Sequence, residues 1–334
     1  MDAIKLVVIG GGSSYTPELV EGVINNYDSL PVREVVFVDV PMGEEKVKIN
    51  TEFIKRMIHK AQLNIEVSYT FDRKDALRGA DFVMTQLRVG GLAARAKDEH
   101  IPLKYNVIGQ ETTGPGGFAK ALRTIPVMLD ICKDMEEVCP DAWLINFTNP
   151  SGIVTEALHK YTKIKNIGLC NVPIGMHYDI AERLNVDPKE INCNVIGLNH
   201  LSFVNKVYYK GDNVISKALE VKNDEGIVQN ISKIEIADLV AQKLNMYLSP
   251  YLQYFFFEKE MLEEELESLR ENKGTRADQV QEVERKLFEL YQDENLDHKP
   301  EELSKRGGAR YSEAAINLIN SIYNNVGDVQ VVNV

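Results

Sequence analysis

The sequence predicts an α/β fold in which a doubly wound, mainly parallel sheet is followed by a second, α+β domain. Three observations predict it. Short apolar runs rich in β-branched residues alternate with helix-length amphipathic segments. A glycine turn, Gly10-Gly11-Gly12-Ser13-Ser14, joins the first run to the first helix, and the alternation changes character after about residue 190. Strands alternating with helices imply right-handed crossovers and therefore parallel pairing. With 334 residues the chain is long enough for two domains.

Taken in order, Ile4–Ile9 is apolar except for Lys5 and reads as a strand, and Thr16–Asn26 reads as the helix after the glycine turn. Glu34–Val38 is a second buried strand ending at Asp39, and Glu44–Gln62 is an amphipathic helix. Asn64–Tyr69, Asp81–Leu87, Ala142–Phe147 and Asn166–Leu169 read as four further strands. Strand, glycine turn, helix, strand and terminal acid in this order describe a Rossmann-like dinucleotide-binding domain over residues 1–173. Asn192–Lys210 then reads as longer antiparallel strands with a Lys210-Gly211-Asp212-Asn213 turn, and Ile234–Tyr247 and Pro250–Tyr291 as mostly helical. Residues 174–334 are thus expected to form the second domain.

The formal charge of −12 argues against a nucleic-acid surface, which needs a basic patch. Acidic residues concentrate in Glu258–Glu271 and Asp278–Asp297, alternating with Lys and Leu as on solvated helix faces. An anionic small molecule would have to be held locally, by a few buried arginines or backbone N–H groups. Cys132, Cys139, Cys170 and Cys193 show no CxxC spacing, and no secretory leader precedes the first strand, so they read as reduced thiols of a cytoplasmic protein. No apolar run approaches the ~20 residues of a membrane span. Neither nucleic acid nor membrane is expected as a partner.

Gly10, Gly11 and Gly12, with Ser13 and Ser14 leading into a helix, suit a pyrophosphate on a helix N-terminus. Asp39 can accept hydrogen bonds from both ribose hydroxyls and would repel a 2′-phosphate, which favours NAD over NADP. The pattern departs from GxGxxG at its third glycine, where Tyr15 stands. A doubly wound fold whose glycines merely make the turn is the alternative.

Cys170 and His200 occupy two similar frames, Ile167-Gly168-Leu169-Cys170-Asn171 and Ile196-Gly197-Leu198-Asn199-His200. A thiol and an imidazole delivered past short apolar runs can ligate one transition metal with positions left for substrate. Two strand-end residues packed in a core are the competing reading.

Three Gly-, Asn- and charge-rich stretches follow strands or loops at the ligand-binding edge of such a sheet: Gln86–Leu92, Ile108–Phe118 and Asn146–Pro150. With Leu169-Cys170-Asn171-Val172-Pro173, Gly197–His200, Pro250-Tyr251-Leu252-Gln253-Tyr254 and Lys305-Arg306-Gly307-Gly308-Ala309, they resemble glycoside hydrolase family 4. The resemblance runs from Gly10 to the last residue, and Asn171 after the cysteine is similar to the 6-phospho-β-glucosidase branch. This NAD-dependent family is a known exception to two-carboxylate glycosidase chemistry. Family members continue past the segment matching Val326–Val334, so the chain is expected to lack the family's C-terminal segment.

The resemblance implies hydrolysis of a phosphorylated disaccharide or aryl glucoside by transient oxidation at C3, deprotonation at C2 and elimination at C1, with NAD⁺ and Mn²⁺. It implies Cys170 and His200 as metal ligands, Tyr251 as base in preference to Tyr254, and Glu111 as a group tuning that base. Arg95, Asn149, Asn171 and Arg276 match substrate-binding positions, and the start of the helix after Arg276 offers a further phosphate site. It further implies a homodimer or homotetramer. A phenol with reference pKa of ~10 is a poor base at neutral pH unless a cation stabilises its anion. Two readings compete. One is a 2-hydroxy-acid dehydrogenase of the lactate/malate type, which needs a His–Asp dyad that Leu198-Asn199-His200-Leu201 does not provide. The other is an NAD-binding sensor without turnover.

Overall fold

A computed structural model describes residues 3–221, 236–306 and 311–334. The first half runs β1 (Ile4–Ile9), α1 (Thr16–Asn25), β2 (Val32–Val38), α2 (Glu44–Lys60), β3 (Glu66–Thr70), α3 (Arg73–Leu77), β4 (Phe82–Thr85), α4 (Gly91–Leu103), α5 (Gly114–Val138), β5 (Trp143–Asn146), α6 (Ser151–Tyr161) and β6 (Lys165–Gly168). Its strands form one parallel sheet in the order β3-β2-β1-β4-β5-β6. The order reverses between β1 and β4, and the crevice beyond their C-terminal ends is where such sheets take ligands. Both faces are covered. Leu6 and Val8 point into one core with Phe37, Phe53 and Ile54, and Val7 and Ile9 into another with Met128, Ile131 and Met135 of α5. That is why these strands read as unbroken apolar runs.

The second half runs α7 (Asn171–Leu184), β7 (Ile191–Leu198), β8 (Leu201–Tyr209), β9 (Asp212–Asn213), α8 (Ile215–Glu220), α9 (Ile236–Leu244), β10 (Tyr247–Leu248), α10 (Gln253–Phe256), α11 (Glu258–Arg270), α12 (Arg276–Tyr291) and α13 (Tyr311–Asn324). A small antiparallel sheet, β10-β8-β7 with β9 on β8, packs on α7 and α8 through Val204, Val207, Met176 and Ile215. Helices α12 and α13 return to the parallel sheet. Leu287, Tyr291, Ala315 and Ile319 belong to the same core as Leu6, and Tyr291 stacks on Phe53 with ring centres 4.8 Å apart.

Several boundaries differ from the sequence expectation for local reasons. Helix α2 stops at Lys60 because Gln62 takes a left-handed backbone (φ 56°). Asp212 and Asn213, expected inside a turn, pair with Tyr209 and Tyr208 as a short strand. Tyr247, expected at a helix end, pairs with Val204, because the left-handed Asn245 has already ended α9. Ile234, Gly307, Gly308 and Ala309 lie outside the described residues. The acidic stretch Asp278–Asp297 is also more than a solvated face, since it contributes Val280, Glu284, Leu287, Phe288 and Tyr291 to the interior. No helix among the described residues is long and apolar enough to cross a membrane.

Candidate active site

The glycine turn is fixed from below. Gly10 has a left-handed backbone (φ 93°), and a Cβ there would lie 2.9 Å from the Leu87 backbone, so only glycine fits between β1 and the loop after β4. Asn50, on the buried face of α2, donates to the carbonyls of Gly11 (2.7 Å) and Ser13 (2.8 Å), and Thr16 Oγ1 donates to Gly11 at 2.9 Å. Asp39 Oδ2 accepts from the Gly12 N–H at 2.6 Å, which ties the end of β2 to the turn while lone pairs on both oxygens stay free. Gly10, Gly12, Ser13 and Asp39 line a cavity of about 590 Å³. Gly11 packs against Phe37, and Ser14 is fully buried with its hydroxyl on Glu284.

The other end of this cavity holds Cys170, Asn171, His200, Tyr251, Glu111, Arg95, Asn149 and Arg276. Arg95 and Arg276, 181 positions apart in sequence, meet here. Asn149, Cys170 and Asn171 follow β5 and β6 at the C-terminal edge of the parallel sheet, Arg95 lies on α4 and Arg276 opens α12, while His200 and Tyr251 come from the β7–β8 turn and the 3₁₀ turn Pro250–Leu252. Cys170 caps α7 just after β6, and His200 sits in the two-residue turn of the β7–β8 hairpin with a left-handed backbone (φ 63°). Cys170 Sγ and His200 Nε2 are 3.5 Å apart. The His200 ring lies flat on Tyr251, 3.7 Å between centres and 2° between planes. Tyr254 stands 6.0 Å from Tyr251 and does not line the cavity.

The electrostatics suit a metal between the thiol and the imidazole. Burial pushes the His200 imidazolium down to about 3, so the ring is neutral and its Nε2 lone pair is available. Burial raises the Cys170 thiol, against N–H donation from Val172 and a hydrogen bond with Asn199, so thiolate there calls for a cation. Among the described residues no group of three or more His, Cys, Asp or Glu could hold a metal ion. A metal held by Cys170 and His200 would keep coordination positions for ligand oxygens.

Glu111 is the most heavily paired carboxylate of the site. Arg88, Arg95 (3.0 Å) and Lys120 (2.5 Å) all contact it. Burial alone would raise its pKa, but these three cations outweigh burial and hold it well below the usual range. Arg95 is clamped in turn by Glu99 at 2.7 Å. The Tyr251 phenol is raised above its ordinary value, first by burial and then by Cys170 and Glu111, with Thr112 and Arg95 acting in the opposite sense. The start of α12, expected as a phosphate site, is already occupied. Asp278 closes a capping box with Thr275, and Glu99 accepts the Ala277 N–H at 2.7 Å. Sequence reasoning assigned no role to Arg88, Lys120, Asn50 or the Lys46–Glu284 pair (2.5 Å). Asn50 alone carried a signal, being a polar residue at an apolar position of α2 between Val47 and Ile54.

Two family models match the chain: family 4 glycosyl hydrolase over residues 5–186, and the family 4 glycosyl hydrolase C-terminal domain over residues 195–334. The expectation that the chain lacks the family's C-terminal segment is thereby not borne out. A probable 6-phospho-β-glucosidase of Bacillus subtilis is 55% identical, covering 99% of this chain and 75% of that protein. A 6-phospho-β-glucosidase of Escherichia coli is 47% identical over 96% of this chain and 72% of its own length. A 6-phospho-β-glucosidase structure from Thermotoga maritima, with manganese, NAD⁺ and glucose 6-phosphate, superposes with a TM-score of 0.83 at 39% identity, covering 95% of this chain and 73% of that one. The chain belongs to glycosyl hydrolase family 4, which sets aside the lactate/malate-type dehydrogenase reading.

Proposed function

We propose that this chain hydrolyses 6-phospho-β-glucosides, such as cellobiose 6-phosphate or an aryl 6-phospho-β-glucoside, to glucose 6-phosphate with NAD⁺ and Mn²⁺. The observation that carries this reading is the meeting of Cys170, His200 and Tyr251 with an arginine-rich wall in the cavity that also opens onto the glycine turn. When bound, NAD⁺ exchanges hydride with C3 of the sugar and Mn²⁺ serves as a Lewis acid towards O2 and O3, which together make the C2 hydrogen acidic.

The remaining work falls to the chain's own residues. Gly10, Gly12 and Ser13 seat the pyrophosphate, with Gly11 and Ser14 holding the turn from beneath, and Asp39 the ribose. Cys170 and His200 hold the ion. Tyr251 accepts the C2 proton, and Glu111, fixed by its three cations, keeps Arg95 beside the phenol. Asn149, Asn171, Arg95 and Arg276 orient the phosphorylated sugar. Asn171 cannot protonate a leaving group, so water or the aglycone's own basicity serves at C1.

On this reading residues 1–173 form the NAD-binding part and residues 174–334 the substrate and metal part. The family resemblance supports a homodimer or homotetramer in the cytoplasm. Hydrolysis of an aryl 6-phospho-β-glucoside, with each cofactor omitted in turn, tests the reading. Turnover is expected only with both cofactors present, and cellobiose 6-phosphate should be preferred to maltose 6-phosphate. Faster hydrolysis of maltose 6-phosphate, or full activity after removal of NAD⁺, would contradict it.

A further inference from the structure

The wall around Tyr15 contains a cation that the motif-based assignment leaves idle. Arg306 ends a 3₁₀ turn, Glu301–Arg306, and lines the cavity. Its guanidinium lies over the Tyr15 ring, 5.2 Å from the centre. Its Nε is enclosed and has no hydrogen-bond partner among the described residues. A buried guanidinium N–H left unpaired is costly, so its retention points to a partner that arrives with a ligand.

Among the described residues, the carboxylates Glu284, Glu111 and Glu99 are already engaged. Glu284 is held by Lys46 at 2.5 Å and by the Ser14 hydroxyl at 3.4 Å. Glu111 is shared by Arg88, Arg95 and Lys120, and Glu99 by Arg95 and the Ala277 N–H. Arg276, by contrast, directs one terminal nitrogen to the carbonyls of Lys305 and Arg306, at 3.3 Å each. Arg276 thus fixes the segment that presents Arg306.

We propose that Arg306 donates to a phosphoryl oxygen of the bound ligand through its Nε–H, with Arg276 as the residue that positions it. This rests on the 6-phospho-glucoside reading. Two ligands could bring such an oxygen here, the sugar phosphate and the dinucleotide pyrophosphate. Of the cations lining the cavity, Arg88 and Arg95 are near enough to act on Arg306 electrostatically and Arg276 bonds its carbonyl; Arg88 and Arg95 share Glu111 beside the substrate residues, which favours the former.

The test is calorimetric binding of glucose 6-phosphate, glucose and NAD⁺, in the presence of Mn²⁺, to the wild type, Arg306→Gln and Arg306→Lys. Arg306→Gln should weaken glucose 6-phosphate by about 10- to 100-fold, the usual range for a charge-assisted hydrogen bond, and leave glucose and NAD⁺ unchanged. Arg306→Lys keeps the charge without the Nε donor, so it should stay weakened. It also carries the test if the Gln variant does not fold. Loss confined to NAD⁺ would move the contact to the pyrophosphate and overturn the sugar assignment. Unchanged binding of both phosphate ligands would overturn the proposal. Wild-type protein that binds glucose 6-phosphate no better than glucose would instead bring down the 6-phospho reading itself.

Discussion

Replacing Tyr251 by Phe is expected to lower kcat by about 10²- to 10⁴-fold, the usual contribution of a positioned acid or base. Affinity for glucose 6-phosphate should change little. The substitution removes one oxygen and keeps the ring, so the 3.7 Å stack on His200 survives. The Thr112 hydroxyl that faces the phenol is not orphaned, since it donates to Gln110 Oε1 at 2.8 Å. Steady-state kinetics paired with direct binding measurements separate the two effects. A Tyr251→Phe enzyme with wild-type kcat would remove this phenol from the chemistry. So would a variant whose whole loss appeared in ground-state binding.

Cys170→Ser should have an effect of similar size by a different route. A Lewis acid contributes several kcal/mol to such a reaction, or roughly 10³-fold and more in rate, and serine is a much poorer ligand than thiolate. Among the described residues the donors proposed for the ion are Cys170 and His200, so losing the thiol leaves it on a single imidazole. NAD⁺ binding should persist, because the glycine turn and Asp39 are held by Asn50, Thr16 and Gly12, none of which touches the thiol. Metal titration and NAD⁺ binding on the same variant check both halves. Undiminished turnover by Cys170→Ser in chelated buffer would refute the ligand assignment.

The parallel sheet was legible because its signals are local. Leu6 to Ile9 are buried on alternating faces, the glycine turn follows at once, and Asp39 ends the next strand, all within about forty residues. Helices α4 to α7 were harder to see, because they begin at Gly91, Gly114, Ser151 and Asn171 inside segments whose composition reads as loop. Proline inside α4 (Pro102) and α5 (Pro126) blurs the pattern further. Cys170, His200, Tyr251, Glu111 and Arg95 could be picked out by motif resemblance, whereas Arg88, Lys120 and the Lys46–Glu284 pair could not. Lys120 pairs with Glu111 across a turn and a helix start, and Lys46 meets Glu284 from 238 residues away, contacts that leave no trace in local periodicity. Arg306 stood in a recognised motif, yet its idle Nε is visible only once Tyr15, Arg276 and Glu284 surround it.

The central claim is that the glycosidic bond breaks by proton removal at C2 rather than by direct displacement at C1. Turnover of a 6-phospho-β-glucoside in D₂O, followed by NMR of the glucose 6-phosphate formed, tests it most directly. The account predicts deuterium at C2 of the product, because the proton taken by Tyr251 is replaced from solvent. Product carrying only protium at C2 would contradict it.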